Sequence, residues 1–234
     1  MAIIEPFALA IGFLLSYIYD FEVSYGVSIV ILTIIINIII FPLTLRQTRS
    51  TKRMQDAQPE LKRIQKQYKD NKEEMNKKVA EYYKENGINP LGCIVPLLVQ
   101  MPVWFALFRV LREPLLFIPK EATLYSALGD PLSVLFFNMD LQVPASAINA
   151  WVDRLPYIVL ILFVVGTALI QQNQLTKKQG TTNNPQQQQM QMIGKVMPIF
   201  FGFISWTLPS GLVVYFLTGN IFRIGQQALI VRLE

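Results

Sequence analysis

Three amide side chains, those of Asn37, Gln100 and Asn220, stand inside the most apolar stretches of a 234-residue chain. An amide without a partner costs roughly several kcal/mol in hydrocarbon, so such groups face protein or water. Two uses fit them: hydrogen bonds between helices, or the lining of a hydrated cavity. Covalent chemistry has little to draw on, because the chain has no histidine and a single cysteine, Cys93. It also lacks a GxxxxGK[ST] phosphate loop and a GxGxxG turn after a strand. A disulfide framework, Ser/His or Cys/His nucleophiles and the usual zinc and haem sites are set aside on these grounds. The chain is expected not to be an enzyme, and to use no cofactor and no metal.

The elements that must position these amides follow from composition. Hydrophobic residues make up 52% of the chain and charged residues 16%, and the mean hydropathy is +0.36. The apolar residues are gathered into long runs, such as 27–45 and 155–170, separated by charged or Pro/Gln/Asn-rich stretches. That pattern describes spans joined by loops. The expected fold is all-α, a polytopic membrane protein with five transmembrane helices at 24–45, 91–112, 155–172, 194–208 and 211–230. Residues 1–23 hold a short apolar run flanked by Glu5 and Asp20, without the basic flank of a secretory signal. This run reads as an interfacial helix, with a further span as the alternative.

Charge asymmetry sets the orientation. Residues 46–88 carry twelve Lys/Arg against seven Asp/Glu, whereas 113–155 carry two against five. The positive-inside rule places the first segment in the cytoplasm. Alternation then puts the N-terminus and the loop 113–154 outside, and the linker 173–193 and the C-terminus inside. A multi-pass protein of a bacterial plasma (inner) membrane is expected.

The cytoplasmic segment 46–90 has helical periodicity of its own. Met54, Ala57, Leu61, Ile64 and Tyr68 form one seam and Met75, Val79 and Tyr82 a second, with Lys69, Asp70 and Asn71 between them. An antiparallel helical hairpin is expected, in which Pro59 kinks the first arm or starts its main segment. Its basic face, including Arg49, Lys52, Arg53, Lys62, Arg63 and Lys66, suits an anionic lipid surface or ribosomal RNA equally. An inert solvated spacer is the alternative.

Spacing gives the amides a common depth. Asn37 lies nine residues before Arg46 and Gln100 nine residues after Leu91, which places each about 13 Å from the cytoplasmic edge at 1.5 Å per residue. Thr218 and Asn220 add to the same layer. Residues 155–170 and 196–208 are short of the roughly twenty apolar residues that cross a bilayer, which implies thinned lipid beside them. Pro42, Pro96, Pro102 and Pro198 interrupt backbone hydrogen bonding along the spans. A polar groove open to the cytoplasm, beside thinned lipid, would let a short polar flank cross while its apolar stretch slides into lipid. Burial of the apolar stretch drives that step without ATP hydrolysis.

The residues Asn89-Pro90-Leu91-Gly92-Cys93-Ile94-Val95-Pro96, followed by Gln100-Met101-Pro102, resemble the second-span signature of YidC-type insertases, the YidC/Oxa/Albino family. Phe41-Pro42-Leu43 with Gln47, Met54-Gln55 and Gln58-Pro59-Glu60 is similar to that family's first span and hairpin. Met197-Pro198, Pro209-Ser210-Gly211-Leu212, Tyr215, Asn220 and Gln226-Gln227 are similar to its last two spans. The resemblance implies a membrane protein insertase and chaperone. Its partners would be nascent membrane proteins, the ribosome and anionic lipids, with the Sec translocon as a further one, and no sequence-specific nucleic acid. It also implies a substrate groove containing Asn37, Gln100, Gln171, Phe216 and Asn220.

One position departs from the family pattern. Bacterial members usually carry an arginine in the first-span groove, and alignment on Phe41-Pro42-Leu43 puts Asn37 there. Arg223, in the cytoplasmic half of the last span, reads as a snorkelling lipid anchor, with partial replacement of the missing charge as the alternative. A solute or ion pathway is a competing class, but the spans lack a paired acid and base and an inverted repeat. A ribosome or assembly scaffold without insertase activity is another.

Overall fold

The computed structural model describes residues 4–21, 24–88, 95–130, 132–176 and 196–233. Helix α1 (Ile4–Tyr19) turns Ala8, Ile11, Gly12, Leu15 and Ser16 inward. It packs on the helices Val95–Arg112 and Tyr25–Asp56. Helix α2 (Tyr25–Asp56) continues through Pro42 for 32 residues, so the first apolar run and the start of the basic segment form one rod. Several of its hydroxyls bond within the helix: Thr33 donates to the Ile29 carbonyl at 2.6 Å, and Thr48 to the Thr44 carbonyl at 3.0 Å. Such back-bonding lets threonine sit in an apolar helix without an orphaned donor.

Helix α3 (Gln58–Gln67) begins with Pro59 in its first turn, where a missing amide hydrogen does no harm. Helix α4 (Lys72–Glu85) is capped by Asn71, whose side chain accepts from the Glu74 amide at 3.2 Å. The two helices are in contact across the turn at 68–71. Ala57 and Leu61 are buried, while Ile64, Met75, Val79 and Tyr82 are half-buried. Gly87, at φ +60°, follows the end of α4 in the left-handed region that glycine tolerates.

Helix α5 (Val95–Arg112) leads into a long loop that holds α6 (Thr123–Ala127) and a two-stranded ribbon, β1 (Leu135–Phe136) and β2 (Met139–Asp140). Phe137 and Asn138 both take positive φ, 48° and 62°, at the tip of the ribbon. This is the sign pattern of a two-residue hairpin turn matched to strand twist. Helix α7 (Trp151–Thr176) starts before the expected span and runs past it, so Gln171 and Gln172 are helical. Helix α8 (Val196–Ser205) and helix α9 (Ser210–Leu233) complete the bundle. The Cys93 signature and most of the Gln/Asn-rich linker at 173–193 lie outside the described residues.

Helix α9 is the centre of the packing, flanked by α2 and α7. Ile29, Leu32, Leu107, Val110, Leu212 and Val213 belong to one buried cluster. Among the described helices, Tyr25–Met54 and Trp151–Gln174 are long and apolar enough to cross a membrane. At one end, the loop after α5 is fastened to the α8–α9 turn. The Ser146 amide donates to the Trp206 carbonyl at 3.1 Å and the Gly211 amide to Leu141 at 2.9 Å. The Ser210 hydroxyl donates to Val143 at 2.8 Å. Arg154 donates through Nε to the Ile148 carbonyl at 2.9 Å and lies over the rings of Trp151 and Trp206. The Asp140 amide donates to the Tyr157 hydroxyl at 2.8 Å. Gly12 meets the Phe117 backbone so closely that a Cβ there would overlap it, which ties the middle of α1 to this same end.

Candidate substrate groove

The opposite half of the bundle opens. A cavity of about 390 Å³ lies among α5, α7, α8 and α9. The positions that line it keep helical spacing: Met101 and Trp104 on α5; Val164, Ala168, Gln171 and Gln172 on α7; Phe216, Asn220 and Arg223 on α9. Met197, Pro198 and Phe201 of α8 close one side. The lining comes from the middle of α5, the last half of α7, the first two turns of α8 and the middle of α9. All lie away from the fastened loop.

One wall is aromatic. The ring of Phe216 stacks on Trp104 with centroids 6.4 Å apart and meets Phe201 edge-on at 5.9 Å. The other wall is polar and built on Asn220, which is 7% exposed. The Asn220 amide nitrogen donates to the Thr167 hydroxyl at 3.3 Å and the Val164 carbonyl at 3.4 Å, while its oxygen accepts from Arg223 Nη2 at 3.0 Å. This set fixes the amide's orientation, because a guanidinium can only donate.

Arg223 does not run toward the end of α9. Its guanidinium folds back one turn, bonding Asn220 and lying over Gly219, where an added Cβ would be 3.5 Å from Nη2. Snorkelling would send the side chain the other way, toward the C-terminal end of the helix and water. The anchor reading is therefore replaced: the cation faces the cavity. Gly219 supplies the room that a larger side chain would take.

Of the sequence-derived groove residues, Gln171, Phe216 and Asn220 come together at this cavity. Asn37 is not among its lining residues; it is half-buried on α2 and donates to the Thr33 carbonyl at 2.8 Å. Gln100 sits in α5 beside Met101, and its side chain lies outside the described residues. Trp104, Gln172, Phe201 and Arg223 line the cavity without having been singled out for the groove by resemblance. The signal that finds them is facing: 216, 220 and 223 share a stripe on α9, and 164, 168 and 171 share one on α7.

The basic residues divide. Arg49 and Arg53 join Arg46, Ser50, Gly87 and Ile88 around a second recess of about 260 Å³, where the end of α2 meets the end of α4. Arg63 pairs with Glu60 at 3.6 Å. Lys66 is exposed, and Lys52 and Lys62 are half-buried.

Comparison with known proteins places this architecture. Residues 17–234 match the model of the family described as 60Kd inner membrane protein. The membrane protein insertase YidC of Fusobacterium nucleatum is 36% identical over 223 residues, covering 95% of this chain and 93% of that protein. The YidC of Pelobacter propionicus is 37% identical over 221 residues, covering 94% of this chain but 37% of that protein. The chain thus spans little more than a third of that longer relative. A crystal structure of an active YidC insertase with its first transmembrane domain resolved superposes with a TM-score of 0.58 at 24% identity, over 89% of this chain and 42% of that one. That likeness concerns the fold. The chain belongs to the 60Kd inner membrane protein family, among whose members are the YidC membrane protein insertases.

Proposed function

We propose that the chain is a membrane protein insertase and chaperone that receives hydrophobic segments at the cavity among α5, α7, α8 and α9. The observation that carries this reading is the contrast between the cavity's walls. An aromatic wall centred on Phe216 can hold an apolar segment, and an amide and guanidinium wall can solvate its polar flank. In this reading α2, α5, α7, α8 and α9 are the five spans. The domain limits are those set by charge and hydropathy, with α1 an interfacial helix tied to the outer end through Gly12. The fastened loop closes the groove toward the outside, and α3 and α4 form a cytoplasmic hairpin.

Insertion then needs no ATP hydrolysis, since transfer of the apolar segment from groove to lipid is downhill. The substrates are nascent membrane proteins. The ribosome and anionic lipid headgroups meet the basic hairpin, and the Sec translocon is a further partner. Asn37 and Gln100 extend the polar layer from α2 and α5. The test is reconstitution into protein-free liposomes with ribosomes translating a single-span or double-span substrate. Integration above that of empty liposomes is expected, and integration equal to empty liposomes would overturn the reading.

A further inference from the structure

We infer that the ribbon formed by β1 and β2 is a lipid-inserted wedge: Phe137 at its tip and Leu132 just before β1 sit at the boundary between headgroups and acyl chains of the outer leaflet. The inference rests on the reading of α2 and α7 as spans with the fastened end outside, and it adds a lipid-binding element to that end.

Four observations carry it. The first is exposure. Among the described large apolar side chains Phe137 and Leu132 are the least covered, 80% and 76% exposed, and residues 132–139 contain no charged group that would hold them in water. The second is conformation. Phe137 takes φ 48°, in a region that a bulky side chain rarely enters and where glycine or asparagine usually stands. A solvated turn gains nothing from a phenylalanine there, whereas transfer of its ring to lipid offsets the backbone cost.

The third is depth. Phe136 lies against the start of α2, where a Cβ on Gly26 would overlap its ring. The ring of Phe137 meets that of Phe136 edge-on with centroids 4.6 Å apart, so its level is tied to the first turn of α2. On the other flank, the Asp140 amide donates to the hydroxyl of Tyr157, which lies in the second turn of α7 and within the apolar run 155–170. The ribbon therefore stands beside the outer turns of both helices, not beyond their ends. The fourth is continuity. Trp151, Leu155, Val159 and Phe163 form an exposed apolar stripe at four-residue spacing on α7. A span turns such a stripe to lipid, with tryptophan at the interface level. β2 packs on this helix, so the tip is held at the level of the stripe's outer end, where an exposed ring meets lipid.

The experiment places a nitroxide at the tip of the full-length protein in liposomes, through Asn138→Cys in a Cys93→Ala background. It compares collisions of the label with oxygen, which concentrates in lipid, and with a water-soluble nickel chelate, which lipid excludes. A label at Phe163→Cys, in the middle of α7, is the reference for lipid. Oxygen collisions are expected to exceed chelate collisions at both sites, with the smaller excess at the tip. Adding Phe137→Asp should reverse the ratio at the tip, because a charged side chain draws the turn into water, whereas Phe137→Trp should preserve it. Phe137 is exposed, so neither change opens the core. Chelate collisions in excess at the tip of the otherwise unchanged protein would overturn the inference and make the ribbon a solvated cap. Protection of that label from both reagents would also overturn it, and would put a protein surface over the tip. So would a ratio that Phe137→Asp leaves unchanged. If the Phe163→Cys label itself collides mainly with the chelate, it is the reading of α7 as a span that fails.

Discussion

The two ends of the bundle solve opposite problems with similar helices. At the loop end, backbone groups of residues 141–146 bond those of 206–211, glycines allow close approach, and Leu212 and Val213 are buried almost completely. At the other end, α5, α7, α8 and α9 line a cavity, and side-chain polar groups take the place of backbone pairs. Backbone pairing is dense and directional, so it closes a structure. Amide and guanidinium side chains keep donors available, so they leave it receptive. A closed end and a receptive end on one helix pair is what one-sided access to a bilayer requires.

Truncations should separate the ends most strongly. Leu212→Ala is expected to destabilise the protein by about 2–5 kcal/mol, because the fastened end cannot collapse around the lost volume. Met197→Ala, at the rim of the cavity, should change stability by less than about 0.5 kcal/mol. Thermal unfolding in detergent measures both, and equal losses would erase the contrast. Next in size is Asn220→Leu, which removes the acceptor of Arg223 and the tie to Thr167 together. A cost of about 1–3 kcal/mol is expected, with a fall in insertion larger than that of Met197→Ala. Tyr157→Phe removes the acceptor of the Asp140 amide at the closed end and should cost about 1 kcal/mol without changing insertion of any substrate.

The smallest effect lies in the hairpin. The hydrogen bond and charge of Lys78 hold the Glu81 carboxyl below its usual range, and Glu81 in turn raises the Lys78 ammonium. The sign follows: the carboxylate's contribution is present above the ordinary carboxylate range and is lost as pH falls through its lowered value. The ammonium's contribution is lost only as pH rises through its raised value. Helicity of α4 should therefore decline slightly on acidification, and Glu81→Gln should remove that decline. The pair is solvent-exposed and screened, so circular dichroism at low salt is the suitable measure.

Much of this arrangement was legible in the residues. The seam through Ala57 and Leu61, the place of Pro59 in the first turn of α3 and the helical runs around Asn220 and Gln171 follow from periodicity and from proline's missing donor. The boundaries were less so, because nothing at residues 45 or 155 stops a helix: α2 passes Pro42, and α7 begins at Trp151. The turn at Phe137 and Asn138 was hidden, since it lacks the glycine that usually marks such a turn. The direction of Arg223 was the largest correction. Sequence places a cation at a depth, but whether its long side chain runs to water or folds back depends on a partner at Asn220 and a gap at Gly219. Asn37 shows the converse, an amide whose donor is used within its own helix.

The most direct test of one-sided access is labelling with a membrane-impermeant maleimide in sealed liposomes or membrane vesicles of known orientation, in a Cys93→Ala background. Gln171→Cys is predicted to react from the cytoplasmic side alone, and Val213→Cys to react from neither side. Labelling of Gln171→Cys from the outside, or its failure to react from the cytoplasm while the protein still inserts substrate, would contradict a groove open at one end and sealed at the other.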